Sequence, residues 1–386
     1  MKNKQLCLLS LISSGLFFQS GVNATPLVSI GDHADLFFNG SSSLRWASNV
    51  FRNETNESDD LIWTVSPGFE LDLGRGASNA DLSVVTRYDI VRYQDLDSLD
   101  TELFHIRADG SYRGSRLDLS ASASFDESKT NSGENNALSD LIEFDTTAAN
   151  LGVEYRVSPK FSFGSGVGYL EREYVNFRNF FADRETVSLP LDVFYELTPK
   201  VDLSLGYQYS EVDVDDIAGG AFGYTQESSF YNIGARGNLL PKLTGFLKVG
   251  YRERDSRVGL DDNGMLGLDA DLTWSATPKL SVMLGLSRDF GVAGAGDSTE
   301  DTSVDLSAYY LINTQFSASA NLGYTQRDYS TSAREDDQYL MGLRFSYSPN
   351  QYWSFSTGYT YDENSSNNAG SSYESHTLDL TATLRY

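Results

Sequence analysis

From about residue 35 onward, apolar and polar side chains alternate one for one. Over 280–287, Leu280, Val282, Leu284 and Leu286 are separated by Ser281, Met283, Gly285 and Ser287. Over 316–325, Phe316, Ala318, Ala320, Leu322 and Tyr324 alternate with Ser317, Ser319, Asn321, Gly323 and Thr325. A period of two sustained over about ten residues is that of a tilted strand with one face in hydrocarbon and the other in water. The pattern predicts eighteen strands, at 35–51, 60–73, 80–93, 101–112, 116–125, 141–157, 160–173, 185–197, 200–211, 228–239, 242–254, 264–276, 279–290, 302–312, 315–328, 337–348, 351–362 and 374–386. Sixteen is the alternative count, and 141–157 is the least periodic stretch. Strands this long exceed the 5–6 residues usual in soluble sheets. The expected fold is all-β, a transmembrane antiparallel up-and-down barrel. In the competing reading, a soluble sandwich or barrel, the apolar face would be a shared core.

The connections alternate in length. Pro159, Pro199, Pro241, Pro278 and Pro349 mark short turns, with Asn313-Thr314 filling the same slot between the last two. The other connections are longer and polar, as in "DESKTNSGENNALSD" from Asp126 and "DENSSNNAGSSYES" from Asp362. Short periplasmic turns opposite longer external loops are the habit of membrane barrels. Aromatic residues on the apolar face fall into two bands. Tyr155, Tyr195, Trp274 and Tyr347 precede the short turns, and Tyr169, Tyr207, Tyr251 and Tyr359 lie eight to ten residues after one. Two such bands are expected where strands cross the two membrane interfaces.

The opposite face reads as the lumen. Its candidate charges are Arg45, Arg87, Arg107, Arg156, Arg172, Arg236, Arg252, Arg327 and Arg344, with Asp81, Asp109, Asp118, Asp192, Asp269, Asp271, Asp305 and Asp379. They are either a solute-selecting lining or a structural set of ion pairs. A barrel of about 16–18 strands is wide enough for an aqueous channel unless plugged. The aromatic segment "YVNFRNFFADRE" from Tyr174 is expected either to fold inward and narrow the bore or to rest outward on lipopolysaccharide or a partner.

Composition refines this picture. The first 24 residues carry Lys2 and Lys4, an apolar run and a Val22-Asn23-Ala24 end, the pattern of a cleaved export signal. The expected organisation is a signal over 1–24, a short periplasmic segment over 25–34 and the barrel over 35–386. The only cysteine, Cys7, lies in the signal, so no disulfide, cysteine metal site or thiol nucleophile is expected. The signal removes two of the 29 basic residues and none of the 54 acidic ones, leaving an exported chain of charge −27. Such a balance argues against nucleic acid as partner. His33, His105 and His376 are far apart in sequence and show no metal-binding spacing. "GLDDNGMLG" from Gly259 lacks the spacing of a calcium loop, and together with "VDVDD" from Val212 it reads as a solvated acidic loop. No catalytic residue, cofactor or metal is expected.

Two stretches are more specific, "LRWASNVFRNETNESDDLIWTVSPGFELDLGRG" (44–76) and "ADLSVVTRYDIVRYQD" (80–95). There the chain resembles the putative β-barrel porin 2 family of large bacterial outer-membrane barrels, often found with exopolysaccharide gene sets. The resemblance implies an outer-membrane location and a channel for solute diffusion or polysaccharide export, with polysaccharide export components as partners. It assigns no catalytic or binding residues. The terminal Tyr386 resembles the aromatic end by which the barrel assembly machinery recognises this class. Outer-membrane lipid and lipopolysaccharide are the expected surroundings. The alternative is a non-conducting structural or adhesive barrel acting through acidic external loops.

Overall fold

Alternation becomes strands almost everywhere it occurs. The computed structural model describes residues 25–31, 33–74, 79–131, 140–217, 222–256 and 263–386; the expected signal segment lies outside them. The strands are β1 (Val28–Ile30), β2 (Ala34–Ala47), β3 (Asp60–Leu73), β4 (Ala80–Tyr93), β5 (Thr101–Arg113), β6 (Leu117–Thr130) and β7 (Ile142–Arg156). Then come β8 (Phe161–Tyr174), β9 (Arg184–Thr198), β10 (Val201–Val214), β11 (Tyr224–Leu240), β12 (Leu243–Ser256) and β13 (Asn263–Thr277). The chain ends with β14 (Leu280–Val292), β15 (Ser298–Leu311), β16 (Phe316–Tyr329), β17 (Glu335–Tyr347), β18 (Trp353–Ser366) and β19 (Tyr373–Arg385).

From β2 to β19 each strand pairs antiparallel with its neighbour in sequence, and β19 pairs back onto β2 with Asp379 opposite Arg45. The result is a closed barrel of eighteen strands, without the free edges that hydrocarbon would not tolerate. The sixteen-strand alternative is set aside: the weakly periodic stretch is a full strand, β7.

The N-terminal segment holds a short strand that the alternation does not announce. It contains β1, and the barrel begins at Ala34. The reason lies at the seam. The backbones of Phe38 and Tyr386 exchange hydrogen bonds of 2.5 and 2.9 Å, and there β19 ends. Residues 34–36 of β2 overhang this point. β1 folds back through a turn that has Gly31 at φ +59° and pairs Val28, Ser29 and Ile30 with Leu36, Asp35 and Ala34. A bare edge is thereby covered.

In three of the five proline turns the residue before proline caps the turn. Ser158 Oγ accepts from the backbone N–H of Phe161 (3.1 Å), Thr198 Oγ1 from Val201 (3.1 Å) and Thr277 Oγ1 from Leu280 (3.0 Å). Asn313 and Asn350 do the same with their side-chain oxygens for Phe316 and Trp353. Such local acceptors are why Ser, Thr and Asn favour turns. At Leu240-Pro241-Lys242 that oxygen is missing, and Lys242 takes a left-handed backbone at φ +67°.

The register separates two faces. Leu272, Leu284, Leu306, Leu322 and Met341 form one in-register row across β13 to β17. One residue along, Asp271, Gly285, Asp305 and Gly323 form another. The apolar rows stay uncovered: Leu205 is 65% exposed and Leu380 60%. Among the described residues the buried hydrophobic clusters are small, Ile142/Tyr174/Phe181 and Ala47/Ile62/Val91, both at the long-loop end. The described residues form no shared apolar core, so the greasy faces are matched to lipid rather than to each other.

Candidate functional site

Parity assigns a residue to a face, and contacts between distant strands show which face is concave. Arg236 on β11 donates Nη1 and Nη2 to Glu154 on β7, at 2.9 and 2.7 Å. Three strands stand between them. Only side chains on the inside of a curved wall can meet across such an arc. Lys248 on β12 reaches Asp192 on β9 in the same way, at 2.9 and 3.0 Å. The polar rows therefore line the interior.

Small residues make room for these chords. Gly164, Gly206 and Gly234 lie beneath them, and a Cβ on Gly164 would meet the Phe194 ring at 2.9 Å. Arg236 lies flat on that ring, 3.4 Å from its centroid, and its Nε also faces Asp202 at 3.2 Å. Stacking, a carboxylate on each side and limited water fix this guanidinium rigidly.

The other anticipated interior charges fall into local groups. Arg87 meets Asp89 at 2.9 Å, and His105 sits between Asp89 (3.2 Å) and Asp126 (2.9 Å). Arg107 forks onto Asp109 with two 2.6 Å bonds. Arg344 forks onto Asp379 with two 3.0 Å bonds, and Asp379 faces Arg45 in register. Arg252 pairs with Asp289 over the Phe230 ring, and Arg327 pairs with Asp301. Arg172 stacks on Phe144. Arg156 is in register with Ser162 at the short-turn end, Asp81 with Ser111, and Asp118 with Arg113 and Glu154. Asp269 faces Lys248 in register, whereas Asp271 and Asp305 flank Gly285 and make no ion pair among the described residues. The structure thus brings Arg236, Asp192 and Lys248 onto one wall and leaves Asp271 and Asp305 open. Lys248 shares the parity of Gly250 and Arg252, the signal by which it is found.

The long-loop mouth is bridged. In the 175–183 connection, Phe181 is buried, stacks on Tyr174 at 5.0 Å and packs on Ile142; Phe180 is exposed. An Arg178–Asp183 pair tightens this loop, and the carboxylate holds the guanidinium above its usual range. The Ala182 N–H then donates to Gly294 O, in the 293–297 connection between β14 and β15 (3.0 Å). Arg184 and Tyr224 grip the same connection through Val292 O (2.5 Å) and Gly296 O (2.8 Å). Arg254, buried, donates to Ser298 (2.6 Å) and Ser330 (3.0 Å). A second bridge joins Arg52 and Phe51 to Asn131, linking the β2–β3 and β6–β7 connections. The aromatic segment thus folds inward, with Phe180 alone of its phenylalanines exposed.

On the outer face, Tyr155, Tyr195, Trp274 and Tyr347 align with apolar partners Leu117, Leu203, Leu243 and Phe316. Tyr169 aligns with Val187, Tyr359 with Leu378, and Tyr207 and Tyr251 both with Tyr231. The ring of Tyr386 packs at a tilt against that of Tyr352 at the seam, with centroids 5.7 Å apart.

No group of three or more His, Cys, Asp or Glu among the described residues is arranged to hold a metal ion. The "VDVDD" stretch runs off the end of β10, and of the second acidic stretch residues 259–262 lie outside the described residues.

No curated protein sequence matches the chain. Among solved structures it is similar to the outer membrane protein opdK from Pseudomonas aeruginosa, at 10% identity and a TM-score of 0.44, covering 91% of this chain and 99% of that one. It is similar to Acinetobacter baumannii OccAB2 at 11% identity and a TM-score of 0.46, covering 92% and 98%. The FrpB iron transporter from Neisseria meningitidis is similar at 10% identity and a TM-score of 0.44, covering 85% and 62%. The sequence model of one family, described as putative beta-barrel porin 2, matches residues 39–386, nearly the whole barrel from β2 to the C-terminus. The chain therefore belongs to the putative β-barrel porin 2 family of outer-membrane barrels.

Proposed function

We propose that the protein is a passive outer-membrane channel for small polar solutes, with a preference for cations. The observation behind this is a closed eighteen-strand wall whose concave face is polar and charged, with Asp271 and Asp305 unpaired. A barrel of this strand number encloses water unless plugged, and in the described residues only side-chain chords and the two mouth bridges cross it. Rings of unpaired carboxylate favour cations in such pores.

Export of a polysaccharide, which the family resemblance implies, asks for a mouth that clears a sugar chain. The bridges from Ala182 to Gly294 and from Arg52 to Asn131 weigh against that in this conformation. In the same reading, the aromatic bands meet lipid and lipopolysaccharide, and the strand ending at Tyr386 is presented to the assembly machinery.

Planar-bilayer recording on the purified, heat-modifiable barrel tests the proposal. Stepwise openings with a reversal potential displaced toward that of the cation are expected. A folded barrel that never conducts would turn the reading toward a structural or adhesive role.

A further inference from the structure

The short-turn end has a charge pattern that conduction does not explain. In a chain of net charge −25, four successive hairpins end in Pro-Lys: Lys160, Lys200, Lys242 and Lys279. These turns join β7 to β8, β9 to β10, β11 to β12 and β13 to β14. No acidic residue occurs within these turns, and the next two, 312–315 and 348–352, carry no charge at all. All four lysines are exposed, and none makes an ion pair among the described residues.

Three of the four ammonium groups, those of Lys160, Lys242 and Lys279, fold back onto the barrel. Lys160 Nζ lies over the ring of Tyr195, 5.7 Å from its centroid, at the outward aromatic band. Lys242 Nζ donates to Ala276 O and Lys279 Nζ to Ile312 O, both at 2.8 Å, at the ends of neighbouring strands. Beside them Val157, Leu197 and Leu240 are 61%, 54% and 61% exposed. The first three hairpin tips thus present exposed apolar side chains with a lysine just beyond them, an apolar-then-cationic order suited to a membrane interface. Neighbouring tips are two strands apart, about 9–10 Å along the rim, close to the spacing of adjacent lipid headgroups.

We propose that this arc is a binding surface for anionic phospholipid headgroups of the periplasmic leaflet, seating the β7–β14 sector of the barrel on their phosphates. A soluble periplasmic polyanion fits less well. Three of the four ammonium groups fold back onto ring or backbone at the level of the aromatic band. The inference rests on the outer-membrane reading of the proposed function, with the short turns facing the periplasm as is usual in such barrels, but does not require conduction.

The test uses the full barrel in nanodiscs of equal parts phosphatidylglycerol and phosphatidylcholine, with retained lipids counted by native mass spectrometry. The wild type should retain phosphatidylglycerol over phosphatidylcholine by roughly five-fold or more, the attraction of about one lysine for an anionic surface. The combined Lys160→Gln, Lys200→Gln, Lys242→Gln, Lys279→Gln variant should lose that preference. The matching Lys→Arg variant should keep it. Should the Gln variant fail the heat-modifiability check, the single Lys200→Gln and Lys279→Gln variants should each lower the ratio. An unchanged ratio in folded Gln variants overturns the proposal. So does a wild type indifferent to phosphatidylglycerol that instead captures soluble polyglutamate through these lysines. A barrel that prefers phosphatidylglycerol but never conducts would sink the channel reading and leave this one standing.

Discussion

Arg236 on β11 and Glu154 on β7 share two hydrogen bonds of 2.9 and 2.7 Å across three intervening strands. A chord of this kind resists flattening of the wall and narrows the bore on that side. Both side chains are largely shielded, with Arg236 18% and Glu154 9% exposed. Replacing Arg236 by Met leaves Glu154 and Asp202 facing each other's wall without their cation, and should cost about 2–3 kcal/mol. Adding Glu154→Gln should return part of that loss, so the double variant falls short of the sum. Urea midpoints of the barrel in lipid vesicles measure both. Additive losses would mean that the chord is geometry without energy.

The two faces can be separated by adjacent residues on one strand. Leu286 aligns with Ala270 and Val304 on the apolar face, and Ser287 with Asp269 and Ser303 on the polar one. Leu286→Arg places a charge in hydrocarbon and should cost about 2–4 kcal/mol. Ser287→Arg gains a carboxylate neighbour and stays in water, so its effect should lie within about 0.5 kcal/mol. Similar losses from both would reverse the assignment of lipid and lumen.

Much of this architecture is legible in the sequence, because lipid imposes period two on every strand. The boundaries of β3 and β4 follow the alternation to the residue, at 60–73 and 80–93. Where the outer face turns polar the rule fails. β15 starts at Ser298, four residues before the expected 302, since Ser-Thr-Glu-Asp reads as loop although it pairs with β14. β11 likewise starts at Tyr224 instead of 228. β1 is invisible because three residues show no period, and it exists to cover an overhang set by the barrel's stagger. The interior partners are harder still. Parity says that Arg236 and Glu154 face inward but not that they meet, because the meeting depends on curvature and on Gly164, Gly206 and Gly234. Phenylalanines in the 174–185 segment announce that the loop does something; only the packing of Phe181 on Tyr174 and Ile142 shows the direction.

That packing predicts a division of labour between neighbours. Phe181→Ala empties a buried site against Tyr174 and Ile142 and should destabilise the loop by about 3 kcal/mol or more. The Ala182–Gly294 bridge should then open more often, raising single-channel conductance and its noise. Phe180→Ala, at an exposed position, should leave both unchanged. Conductance traces of the two variants side by side decide the point. Identical traces would show that the 175–183 loop does not limit flow.

Selectivity rests on carboxylates that lack partners. Asp192, Asp301 and Asp379 are neutralised by Lys248, Arg327 and Arg344, so replacing them disturbs a pair before it alters the field in the bore. Asp271 and Asp305 are different: they flank Gly285 in register and nothing cationic meets them among the described residues. The combined Asp271→Asn and Asp305→Asn variant should fold as the wild type does and lose most of its cation preference. In a potassium chloride gradient, its reversal potential should move toward zero. The difference from wild type should be largest in dilute salt and nearly vanish at high salt, because the screening length falls from about 10 Å at 0.1 M to about 3 Å at 1 M. A variant as cation-selective as the wild type in dilute salt would locate the filter elsewhere, with the bridged long-loop mouth and its acidic rim the next place to neutralise.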